Sequence, residues 1–121
     1  MRKIGSVVAL GAIALLVAAV SAFGGQATAG ATRQKVTVAM REFKFAVSPK
    51  TVKKNVPVTF ALTNNGSTGH DFKIGGKKSP LVAASKKGTL KVTFKKAGRY
   101  SYLCTVPGHA AAGMKGVLVV K

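Results

Sequence analysis

From Val36 onward the chain alternates apolar and polar residues in short runs, each cut off by turn residues, and this rhythm of two constrains the fold most. Successive side chains of a strand point to opposite faces, so such a run buries one face and wets the other. Val36, Val38 and Met40 share a face, and Phe43, Phe45 and Val47 form a second short run before Ser48-Pro49 turns the chain. Val58, Phe60 and Leu62 alternate with Thr59, Ala61 and Thr63, and Asn64-Asn65-Gly66 closes that segment. His70, Phe72 and Ile74 fall on one face of the next, followed by a Gly75–Pro80 loop. Leu90, Val92 and Phe94 alternate again, and Ala97-Gly98 turns into a strand in which Tyr100, Tyr102 and Cys104 have the same parity. Val117–Val120 makes a last strand, and no segment beyond residue 30 carries a helical stripe. About seven short strands with turns between them predict an all-β fold, a Greek-key β-sandwich of antiparallel neighbours.

The start of the chain reads differently. Arg2 and Lys3 precede an apolar run, Ile4 to Val20, and then a small-residue stretch containing Ala27-Thr28-Ala29. That order predicts a secretory signal peptide over residues 1–29, cleaved after Ala29 or, by a slip, after Ala31. Ile4 to Val20 is also near the lower length limit for a membrane span, so a retained anchor is the alternative. No Cys lies near the junction to take a lipid. Residues 30–121 are then one small exported domain, periplasmic or extracellular, expected to work as a monomer.

Charge bears on partners. The chain has 20 Lys and Arg against two acidic residues, Glu42 and Asp71, and losing Arg2 and Lys3 takes the formal charge from +18 to +16. So basic a surface predicts attraction to acidic redox proteins or to an anionic cell envelope. Lysines as scattered as Lys50, Lys77, Lys86 and Lys95 equally suit a plain solvated surface. Export and the lack of interleaved aromatics exclude nucleic acid.

Cys104 is the only cysteine, so no internal disulfide can form. A lone thiol in an oxidising compartment is buried and inert, paired between molecules, or bound to a metal. The residues after it favour a metal: Cys104-Thr-Val-Pro-Gly-His109-Ala-Ala-Ala-Gly-Met114 spaces a thiol, an imidazole and a thioether along one loop. The chain's other His, His70, lies on a separate strand with its side chain on the inward face. One thiolate, two imidazoles and a weak thioether suit copper, because sulfur stabilises Cu(I) while imidazole accepts Cu(II). Zinc is the structural alternative, but it prefers four strong ligands. A c-type haem would need C-x-x-C-H, which is absent.

The stretch Gly98–Gly116, with its Cys104–Met114 loop, resembles the cupredoxins, the small blue copper proteins akin to plastocyanin, azurin and amicyanin. His70-Asp71-Phe72, after the turn Asn64-Asn65-Gly66, is similar to their upstream ligand, and the element order agrees over residues 34–121. The resemblance implies a sandwich of about eight strands in mixed sheets, with a single type 1 copper at one end. It implies His70, Cys104 and His109 as equatorial ligands and Met114 as the axial one. It also implies a one-electron carrier between a redox donor and acceptor, and no enzyme. Copper storage or delivery with the same ligands is the second reading. Asp71 stands where the family often has Asn, and it is expected to accept from the Thr105 hydroxyl. Pro107 has no N–H to give the Cys104 sulfur, which predicts few donors there. The small apolar residues Pro107, Gly108 and Ala110 to Ala112 around His109 predict a docking patch for brief contacts.

Overall fold

The protein is described here by a computed structural model covering residues 33–121, so the predicted signal segment and its junction lie outside the described residues. Nine strands run in chain order: β1 (Gln34–Arg41), β2 (Lys44–Ser48), β3 (Thr51–Val52), β4 (Val58–Asn64), β5 (Lys73–Ile74), β6 (Lys77–Lys78), β7 (Lys87–Val92), β8 (Gly98–Leu103) and β9 (Lys115–Val120). They form two sheets, β2-β1-β4-β7 and β3-β9-β8-β5-β6, packed face to face as an all-β sandwich.

The alternation places the core as expected. Val36, Val38 and Met40 of β1 and Val58, Phe60 and Leu62 of β4 are buried against Ile74, Tyr102, Leu118 and Val120 from the other sheet and against Phe72 just before β5. Phe72 is the aromatic pivot, with Phe45 edge-on at 5.3 Å and Phe60 at 5.1 Å between ring centroids. Offset and edge-on contacts of this kind are worth about 0.5–1.5 kcal/mol each beyond the area they bury.

Direction departs from the purely antiparallel expectation. β1 runs parallel to β4, with Val36 opposite Phe60, and β3 runs parallel to β9, with Val52 opposite Val120. Period-two alternation tells which face a residue joins and carries nothing about the direction of its neighbour. The mixed sheets are those the cupredoxin resemblance implied.

Two local departures shape one end of the sandwich. Phe43 does not extend the run of Phe45 and Val47; with Glu42 it forms the two-residue turn between β1 and β2, where it takes φ 64° and is 43% exposed. His70, Asp71 and Phe72 precede β5, and all three are buried. Irregular backbone there turns neighbouring side chains inward together, which a continuous strand cannot do.

Candidate metal centre

His70 is held by its backbone first. Its N–H donates to Val82 O at 3.1 Å and its carbonyl accepts from Val82 N at 2.8 Å. The loop leading to it is stapled by the buried side chain of Asn64, whose Nδ2 donates to Thr68 O and Val82 O, both at 2.8 Å. Its Oδ1 accepts from Gly66 N, also at 2.8 Å. Both donors and one acceptor site of this amide are thus used, as burial demands.

The second loop folds back on itself between β8 and β9. Cys104 N–H donates to Met114 O and Met114 N–H donates to His109 O, each at 3.1 Å, so the three residues share one backbone knot. Turn bonds from His109 N to Val106 O and from Ala112 N to Gly108 O tighten it. Gly108 at φ 84° and Gly113 at φ 117° occupy backbone conformations that disfavour any other residue.

These two loops bring His70, Cys104 and His109 together, with Cys104 and His70 buried and His109 half-buried. The Nδ1 atoms of the two histidines are 3.1 Å apart, and Cys104 Sγ lies 4.0 Å from that of His70 and 3.7 Å from that of His109. A point equidistant from the corners of that triangle is about 2.1 Å from each, matching the roughly 2.0–2.3 Å of metal–nitrogen and metal–sulfur bonds. The donor set therefore fits one soft or borderline ion. Met114 is fully buried, and its backbone joins the loop to the other two residues.

The protonation states follow from the surroundings. Burial pushes the Cys104 thiol up, opposed by hydrogen bonds from the backbone of Asp71 and Val106. Pro107, which has no N–H, gives the sulfur no donor. A metal that takes Cys104 as thiolate must displace this proton.

Asp71 accepts from Thr105 N at 2.6 Å and from the Thr105 hydroxyl at 2.5 Å, tying the His70 segment to the residue after Cys104. The substitution of Asp for Asn thus keeps the link and adds charge assistance. Lys78 Nζ stands 3.8 Å from the same carboxylate.

Sequence reasoning missed Glu42. Its Oε1 is 3.1 Å from His70 Nε2, on the ring edge opposite Nδ1. The same carboxylate accepts from Ser67 N at 2.9 Å and from Thr68 N and Oγ1 at 3.1 Å each. Burial raises its pKa, but the bonds from Thr68, His70 and Ser67 outweigh that and hold it at about 2. Phe43, next in the chain, meets the His109 ring edge-on at 5.1 Å between centroids. Nothing in the sequence near Glu42 marks it, because its partners are more than twenty residues away.

The family described as a cupredoxin-like domain matches residues 11–120. Among known proteins, the chain is similar to the copper-resistant cuproprotein CopI of Rubrivivax gelatinosus, 28% identical over 82% of this chain and 73% of that protein. It is also 40% identical to rusticyanin of Acidithiobacillus ferrooxidans over 54% of this chain, spanning less than half, 45%, of that relative's length. Among solved structures, auracyanin B shares the fold with a TM-score of 0.66 at 23% identity, over 73% of this chain and 88% of that one.

Proposed function

The chain belongs to the cupredoxin-like family, and from that premise we propose that residues 30–121 form an exported type 1 copper protein carrying single electrons between redox partners. The observation that carries the reading is the triangle of His70 Nδ1, Cys104 Sγ and His109 Nδ1, already drawn to bonding distance of a common point. Met114, buried in the same loop, would offer its thioether as a fourth ligand. Copper bound there would supply a one-electron Cu(I)/Cu(II) couple in which no substrate bond is made or broken.

The protein's own residues suit that task. Fast electron transfer needs donors that move little, and here both loops are fixed by backbone bonds, by Asn64 and by the Asp71–Thr105 pair. The half-buried His109 is the one member of the triangle that reaches the surface. The two large apolar side chains exposed among the described residues sit at this end: Phe43 against His109, and Leu81 over Gly69 beside His70. With Pro107 and Ala110 to Ala112 they make a small apolar contact surface suited to brief docking. The sequence has only two His, so the further imidazole clusters of copper enzymes have no ligands here.

Similarity to a copper-resistant cuproprotein supports a second reading, copper storage or delivery through the same ligands. Burial of His70 and Cys104 opposes it, since cargo held inside a core exchanges slowly. Copper titration separates the two. An intense visible band that bleaches reversibly with reductant and is lost in Cys104→Ser is the result expected of a carrier. A colourless protein that takes only Cu(I) would establish delivery instead.

A further inference from the structure

Glu42 is out of place for a surface acid on this protein. Only two carboxylates face 20 Lys and Arg in the whole sequence, and an ordinary exposed Glu would lie beside a lysine. Among the described residues its one ion-pair partner is instead the buried ring of His70. The side chain folds inward from the β1–β2 turn onto the Ser67–His70 loop, where backbone and hydroxyl donors of Ser67 and Thr68 aim it.

Gly66 makes room for it. A Cβ at that position would collide with the Glu42 carboxylate, the end of a flexible side chain, which would have to move.

A carboxylate only accepts hydrogen bonds, so its contact at 3.1 Å requires the proton of neutral His70 to sit on Nε2. The lone pair is then on Nδ1, the atom that faces Cys104 Sγ and His109 Nδ1. We propose that Glu42 is the positioning residue of the metal centre: it sets the tautomer and orientation of His70 and, through its negative charge behind the ring, favours the oxidised ion over the reduced one. The inference rests on the copper reading only in its second half. A negative charge beyond the imidazole makes the ring a stronger donor and stabilises the more highly charged Cu(II). The neighbouring Phe43 contact means that one two-residue turn touches both histidines.

The test has a metal-free and a copper-loaded arm. In the metal-free protein, long-range 1H–15N spectra should show His70 with its proton on Nε2; Glu42→Ala should give a mixture of tautomers, and Glu42→Gln, which keeps an acceptor, should not. In the copper-loaded protein both variants should shift the reduction potential upward and weaken Cu(II) binding by about 10–100-fold, with Cu(I) binding changed less. Gly66→Ala, which keeps the acid but displaces it, should shift the potential the same way and serves where a Glu42 variant does not fold. An unchanged His70 tautomer in Glu42→Ala would overturn the positioning role. An unchanged potential in all three variants would overturn the electrostatic one. Should the wild-type protein form no coloured copper complex, the functional reading fails while the tautomer measurement still decides the Glu42–His70 contact.

Discussion

At the scale of single residues, the polar side chains around the site carry more of its organisation than its apolar ones. Asn64 satisfies three backbone groups that would otherwise be stranded under the loop. Asn64→Ala should lower the stability of the metal-free domain by about 1–3 kcal/mol in urea unfolding, the cost of leaving buried groups unpaired. Glu42 predicts a pH response. Its folded-state pKa of about 2 lies below the ordinary 4.5, so its stabilising contribution is present above pH 4.5 and is lost as pH falls towards 2. The metal-free wild type should therefore lose stability across that window more steeply than Glu42→Gln, as followed by urea midpoints at successive pH values. Of these residues the sequence made Asn64 legible only as a turn former, and Glu42 not at all. A side chain's bonding partners are set by tertiary approach, and one Glu among scattered lysines has no local pattern. Cys104 and His109 were legible because their chemistry and spacing lie within one loop, whereas His70, read as facing inward on a strand, is buried with Asp71 and Phe72 on irregular backbone before β5.

At the scale of elements, the Cys104–Met114 loop is a unit whose ends are joined by Cys104 N–H donating to Met114 O. That bond belongs to the backbone, so changing the Met114 side chain should leave the loop closed. Met114→Leu should keep the visible colour and raise the reduction potential in voltammetry, since the thioether proposed as a ligand is replaced by hydrocarbon. Loss of copper binding would mean that the thioether contributes more than a weak axial contact. The longer strands β1, β4, β8 and β9 were legible from their alternation, while the two-residue strands β3 and β6 were not, because two residues carry no rhythm. Their directions were not, because alternation reports faces alone, and the parallel β1·β4 and β3·β9 pairs depend on connections between elements. The β1–β2 turn was missed for a related reason: Phe43 fits the apolar rhythm, yet the chain reverses there and gives its ring to His109.

At the scale of the molecule, charge and docking are divided. Thr105 to Met114 contains no Lys or Arg, while lysines stud the strands and turns elsewhere. Charge should then govern how often partners meet, and the apolar end how long they stay. Electron-transfer rates with an acidic partner should fall steeply as ionic strength rises from about 0.01 to 0.15 M, over which the screening length shrinks from about 30 to 8 Å. A rate indifferent to salt would show the basic surface to be uninvolved in encounter. The pairing of β3 with β9 bears on a different matter, the order of assembly. Thr51–Val52 must wait for Val119–Val120, and closing so long a loop costs entropy before any contact repays it. Until β9 zips onto β8, the ends of the ligand loop are free and the thiol and imidazoles have no shared seat. A half-made or partly opened chain therefore offers copper only separate, weak handholds. A seat offering all three donors at once is therefore expected only after β9 has closed on β8.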